Sequence, residues 1–137
     1  MDALKKEFEQ KAFHLIPNTN IISIKWIESP SMPQVKKTCE SLFSVIEKHK
    51  INTLLSDLSN CKGFNNEAYG YINLVFYPNL SKSGIIKHAI VFSEEIFKRL
   101  MKGTFRRFYA SHFEVETFCQ QEDAINWLRN NHAKSAS

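Results

Sequence analysis

IISIKWIESPSMPQVKKTCESLFSVIEKHKINTLLSDL, residues 21–58, runs through a strand pattern, a helix pattern and a second strand pattern with short breaks between them. In Ile21 to Ile27, β-branched and aromatic residues dominate, and Ile22, Ile24 and Trp26 alternate with Ser23 and Lys25. The alternation predicts a half-buried strand with one face on a core. Glu28-Ser29-Pro30 breaks it. Ser31, with Gln34 three residues on, has the spacing of a capping box, and Pro33 is tolerated in a first helical turn. Val35, Cys39, Leu42, Phe43 and Ile46 then recur at helical spacing, opposite Lys36, Lys37, Glu40, Glu47 and Lys48. Thr53 to Leu58 follows as a short strand closing on Asp57. Strands separated by a helix need a crossover, and crossovers give parallel pairing.

Working outward, Glu9 to Ile16 reads as a strand that Pro17-Asn18-Thr19-Asn20 turns back onto Ile21–Ile27, an antiparallel hairpin. Downstream, Ser59-Asn60-Cys61-Lys62-Gly63 reads as a loop. A helix is expected from the N-cap type residue Asn65 to Tyr77, with Pro78 stopping it. KHAIVF (Lys87–Phe92) is an apolar strand, and Ser93 caps a helix through Leu100 that ends at Gly103. Phe105 to Phe113 is ambiguous, with a further turn of helix as one reading. Glu114–Phe118 is the last strand. Gln121–Asn130 is the last helix, with Ala124, Ile125 and Leu128 inward and Trp127 alongside; residues 131–137 read as a disordered tail. The expected fold is α/β, one domain over residues 1–137. Its mixed sheet has about five strands, an N-terminal antiparallel hairpin followed by βα units, covered by about four helices.

Composition agrees. A chain of 137 residues and 15.9 kDa, 43% hydrophobic and 23% charged, is long enough to bury a core without staples. Cys39, Cys61 and Cys119 are odd in number, far apart and without a C-x-x-C, which favours reduced thiols in a cytoplasm over disulfides or zinc. The opening MDALKKEFEQ lacks the apolar stretch of a signal peptide, and no run approaches the length of a membrane span. No metal site or cofactor fingerprint is expected: the histidines have no ligand-like spacing, and the glycines form no phosphate-binding loop.

The order IISIKWI, amphipathic helix, strand closing on Asp57-Leu58-Ser59, AIVF and EDAINWL resembles the STAS-like domains, the family of sporulation anti-sigma-factor antagonists, particularly its small single-domain bacterial members. The resemblance spans Asn20 to Asn130 and is one of order and texture. It implies a non-catalytic module that binds a protein partner or a small ligand. Such domains often carry a Ser or Thr phospho-acceptor where the helix after the Asp-containing strand begins. Here that start reads Phe64-Asn65-Asn66-Glu67, with no hydroxyl, and Glu67 would repel a phosphate. Ser59 is the nearest phosphorylation candidate; its plainer role is a turn residue bonding its own backbone.

Phe64, Tyr69, Tyr71, Phe76 and Tyr77 crowd five aromatics into fourteen residues. Helical spacing puts Ala68, Ile72, Val75 and Phe76 on one face, with Tyr69, Tyr77 and Leu74 elsewhere on the wheel. A helix apolar around much of its circumference is buried on more than one side. The second side is an interface, a ligand pocket, or a covering loop. A catalytic reading is weak: Asp57 beside Cys61 would raise a thiol pKa, and His88 starts its strand, which places it at the opposite edge. Lys98, Arg99, Lys102, Arg106 and Arg107 form the basic segment that produces the net charge of +4. Such a segment meets phosphates or acidic partners, or is simply a solvated helix face.

The expected function is therefore a cytoplasmic, non-enzymatic binding or regulatory module. It contacts a protein partner or a second copy, as a homodimer, through Asp57, Ser59, Cys61, Phe64, Tyr69 and Tyr77. The alternative is a small-molecule or lipid-binding domain whose aromatics line an apolar pocket. A phosphate or nucleic-acid contact through Lys98–Arg107 ranks third, since no RNA-binding pattern accompanies the charges.

Overall fold

The computed structural model describes residues 13–101 and 113–130. Their elements are β1 (Phe13–Leu15), β2 (Ile21–Glu28), α1 (Met32–His49), β3 (Thr53–Cys61), α2 (Asn66–Tyr71), a π-helical turn (Ile72–Phe76), α3 (Tyr77–Ser83), β4 (Lys87–Phe92), α4 (Glu94–Met101), β5 (Glu114–Phe118) and α5 (Gln121–Arg129). The five strands form one sheet in chain order, β1-β2-β3-β4-β5. The β1–β2 pair is antiparallel and the other three are parallel. This is the mixed α/β sheet expected from the sequence.

Sequential strand order fixes where the helices go. Each parallel crossover steps to the next strand in the same direction, and such crossovers share one hand. All of them must then pack on one face. Side chains of α1, α2, the π turn, α3 and α4 accordingly join Ile22, Ile24, Leu54 and Ile90 in one core on that front face. The back face carries a smaller cluster, with Leu55, Ala89 and Val91 under Ala124 and Leu128 of α5. β2 is an inner strand whose second face is partly wet: Ser23 is buried with Ile21 on the back, while Lys25, Ile27 and the terminal Glu28 are exposed.

The capping box forms as read: Ser31 Oγ accepts from the Gln34 N–H, and Gln34 Oε1 accepts from the Ser31 N–H. Val35, Cys39, Leu42 and Ile46 are buried, Val45 joins them, and Phe43 is only half-buried. Lys50 ends α1 with φ 53°, a left-handed conformation in which glycine is at ease and lysine is not.

Two expectations fail. The segment Ser59–Cys61 is not loop but the end of β3. Lys25 pairs with Asp57 while Ile27 pairs with Asn60, so β3 carries one extra residue there, a bulge. Asp57 Oδ1 accepts from both the backbone N–H (2.9 Å) and the hydroxyl (2.6 Å) of Ser59, giving partners to groups at the broken ladder. Nor does Pro78 stop the helix, which runs on to Ser83 and closes on Gly84 at φ 108°. Proline has no N–H and crowds the carbonyl four residues back. The chain absorbs this by widening one turn, with the Tyr77 N–H bonded to the Ile72 carbonyl five residues back.

The wide turn resets the helix phase. Ile72, Phe76 and Tyr77 all face the core, followed by Leu80, while Val75 is 40% and Leu74 80% exposed. Val75 therefore leaves the face assigned to it and Tyr77 joins that face. The last helix behaves as read, with Ala124 and Leu128 buried and Ile125 and Trp127 packed beside them. Lys87 is 3% exposed yet partnered: its Nζ donates to the carbonyls of Trp127 and Asn130 (3.1 Å each) at the end of α5, 4.8 Å from the Trp127 ring centroid.

Candidate functional site

Under the wide turn the front face of the sheet encloses a cavity of about 40 Å³. Its floor is Trp26, Ser56, Leu58, His88, Ile90 and Phe92; its roof is Phe64, Tyr69, Ile72, Phe76 and Tyr77. Alternation along β3 and β4 is what aims Ser56 and His88 inward. They follow Leu54 and precede Ile90 on the front face, and the two strands pair in register.

Ser56 Oγ lies 2.7 Å from His88 Nε2. His88 is wholly buried, and burial depresses its pKa from 6.5 to about 3, so the ring is neutral at physiological pH. The rings of Tyr77 and Phe113 stand 5.5 and 6.1 Å from it. Its Nδ1 has no hydrogen-bond partner among the described residues. His88 is the second residue of β4, at the starting end of the strand as read, and the cavity reaches down the sheet to it. A Ser–His pair at this spacing has the outline of a nucleophile and its base, but a working pair has a third group orienting the second ring nitrogen.

The six contact residues read from the sequence separate into two groups. Phe64 and Tyr69 sit together at the rim, where Trp26 meets Phe64 edge-on (5.3 Å) and Phe64 meets Tyr69 edge-on (5.8 Å). Asn65 caps α2 through a bond from the Ala68 N–H (2.8 Å), which fixes where Tyr69 falls. Cys61 is buried beneath them, its sulfur accepting from the Gly63 N–H (3.4 Å), and burial pushes its thiol pKa up. Burial raises the Tyr69 hydroxyl likewise. Tyr77 is no surface residue but core, stacked among Phe76, His88 and Phe113. Asp57 lies on the other side of the sheet, one residue out of phase with Ser56 and Leu58, and Ser59 is tied to it. The Asp57–Ser59 pair is thus a separate place from the aromatic rim.

Of the basic segment, Lys98 and Arg99 stand exposed on α4, each 3.4 Å from the glutamate one turn back, Glu94 and Glu95. These pairs offset part of the charge that the cluster would offer a polyanion. Lys102, Arg106 and Arg107 lie outside the described residues, as do the part of the expected first strand before Phe13, residues 105–112 of the ambiguous stretch and the 131–137 tail. Cys39 is buried in α1 with its thiol pushed well up, the small hydrophobe expected. Among the described residues, no helix is long and apolar enough to cross a membrane, and no cluster of side chains suits a metal ion.

This architecture is known. A SpoIIAA-like protein of the DUF3478 family from Shewanella loihica PV-4 superposes with a TM-score of 0.63 at 18% identity, covering 85% of this chain and 90% of its own. A proposed anti-sigma factor antagonist from Thermotoga maritima gives 0.65 at 14% identity, covering 90% and 98%. The unphosphorylated anti-sigma factor antagonist SpoIIAA gives 0.56 at 16% identity, covering 87% and 99%. No family model and no curated protein matches the sequence. The chain therefore has the SpoIIAA-like, STAS-type fold.

Proposed function

We propose that the protein is a non-enzymatic regulatory module that binds a protein partner through the aromatic rim at the mouth of the cavity. The observation that carries this reading is the Trp26–Phe64–Tyr69 ladder of edge-to-face rings, with Phe64 and Tyr69 half-buried over a buried Trp26 at the end of β2, on a fold shared with structures described as anti-sigma factor antagonists. Aromatic rings at such a rim give a partner large contact area at low entropy cost, and interface hot spots are rich in them. The buried, protonated thiols of Cys39 and Cys61 favour binding over covalent chemistry.

Self-association is the form of this reading tested first. Leu74, exposed on the π turn next to α2, adds apolar surface for a second copy. Sedimentation of the protein is expected to give twice 15.9 kDa, with Tyr69→Ser and Leu74→Ser each shifting it to the monomer while circular dichroism stays unchanged. Wild-type protein that stays monomeric at every concentration refutes self-association. Capture of the same cellular partner by wild type and Tyr69→Ser alike refutes the rim as the contact.

A further inference from the structure

The rim lies at an end of the molecule whose charge is opposite in sign to that of the whole chain. A net charge of +4 points toward polyanions. Where β2 to β5 finish, the described residues reverse that sign. Helices begin there, and acids fill their first turns: Glu67 in α2, Glu94 and Glu95 in α4, Glu122 and Asp123 in α5. Basic residues gather at the far end, where Lys48, Lys82 and Arg129 close α1, α3 and α5. Acids at helix starts and bases at helix ends suit the helix dipoles, so this much needs no partner.

Glu28 is different, because no helix explains it. It ends β2, two residues past Trp26, and its carbonyl accepts from the Lys62 N–H (2.7 Å), which ties it to the loop that carries Phe64. Its φ is 58°, a conformation that favours glycine. The side chain gains little from the protein in return. Its pair with Lys62 spans 3.4 Å between side chains that are 69% and 74% exposed, and such pairs contribute little. An exposed acid held in a strained conformation that the fold does not need has its use outside the fold. Glu67, also exposed, lies between Phe64 and Tyr69 in the chain.

We propose that the rim takes a segment of another polypeptide in which an arginine or lysine stands next to an apolar side chain. This rests on the rim-binding reading above and names the chemistry of its partner. The cation meets Glu28 and Glu67 in place of Lys62 and lies against the half-buried rings of Phe64 and Tyr69, where cation–π attraction adds to charge pairing. Its apolar neighbour covers the remaining ring surface at the cavity mouth. A polyanion would meet the same carboxylates with repulsion, and two rims face to face would set each acid against its copy.

The test selects short random peptides, displayed on phage, against the unaltered protein and against Tyr69→Ser in parallel. Peptides that only the unaltered protein retains are expected to pair Arg or Lys with an adjacent apolar residue. Such a peptide, synthesised and followed by fluorescence anisotropy, is expected to bind about threefold more weakly to Glu28→Gln and to Glu67→Gln, and more weakly as salt is raised. Glu28→Gly is expected to bind it as weakly as Glu28→Gln yet to hold or raise the urea midpoint of the protein, because glycine relieves the backbone. Selected peptides that are neutral or acidic, or full affinity in the variant carrying both glutamine changes, overturn the proposal and leave rim binding standing. A lower midpoint for Glu28→Gly with peptide affinity intact overturns it too, since Glu28 is then a structural residue. If no peptide distinguishes the protein from Tyr69→Ser, rim binding itself fails and the proposal with it. A dimer that tightens as salt is added and blocks the peptides also overturns it, giving the rim to a second copy.

Discussion

Replacing Lys87 with methionine isolates what a buried ammonium does for the last helix. Methionine keeps most of the unbranched stem, so packing between β4 and α5 changes little, and the loss is that of Nζ. Nζ donates two bonds to helix-terminal carbonyls and lies over the Trp127 ring. Bonds from a charged donor contribute about 1.5–3 kcal/mol each, and the ring contact adds about 0.5–2 kcal/mol. Against these stands the cost of taking an ammonium out of water, several kcal/mol. The Asn130 backbone is exposed and its carbonyl recovers water in the variant, whereas the carbonyl of half-buried Trp127 does not fully do so. The cation at a helix C-terminus is a further loss of about 0.3–1 kcal/mol. The net expectation is destabilisation by about 2 kcal/mol. With a urea m-value of about 1.5 kcal/mol/M, the midpoint falls by roughly 1.3 M at unchanged m. Trp127 emission, followed in a Trp26→Phe background, reports loosening of α5. A midpoint within about 0.3 M of the parent refutes the reasoning, since it would mean that desolvation cancels the bonds.

Other outcomes follow from described features. Lys50→Gly is expected to stabilise the protein and Gly84→Ala to destabilise it, each by about 1 kcal/mol in the same urea assay. Both positions have positive φ, and at Gly84 nothing stands within 4 Å of an added Cβ, so conformation alone decides. His88 gives a pH signature. Unfolded, it binds a proton near pH 6.5; folded, only near pH 3. Between those values the unfolded state holds more protons, so stability is full above pH 6.5 and falls as pH falls, by up to about 1.4 kcal/mol per unit. Subtracting the profile of His88→Leu should isolate that slope; identical profiles for the two proteins would refute it. Finally, a thiol reagent applied to native protein should label Cys119, which is half-exposed, well before buried Cys61 and Cys39; labelling of Cys39 first would contradict its burial.

The first helix is legible in the sequence because its information is local and redundant: a capping box, an apolar stripe and a charged opposite face agree. β4 is legible for another reason, a short apolar run too brief for a helix. The misreadings share a cause, that distant parts of the chain overrule local rules. Cys61 belongs to a strand because Glu28, far back in the chain, offers it a ladder partner across a bulge. Proline is a sound stop signal, yet burial of Leu80 and the Gly84 cap hold the helix together beyond Pro78 at the cost of one wide turn. That turn moved Tyr77 from the supposed surface to the core, a change of phase no wheel drawn at constant pitch contains. The Ser56–His88 pair left a fainter signal. Each is a polar residue interrupting the front-face alternation of an otherwise apolar strand, and two such interruptions in adjacent strands are a pattern sequence reading can look for.

The sequential strand order also has a consequence for how the chain is made. Each new strand on leaving the ribosome finds its neighbour already in place, so the sheet can lengthen during synthesis without waiting for distant segments. The front face is roofed as it grows, because every crossover brings its own helix. The back face is not. Leu55, Ala89 and Val91 stay bare until residues 121–129 emerge. The nascent protein therefore passes through a stage with a finished front and a sticky reverse, the interval in which a chaperone has most to protect.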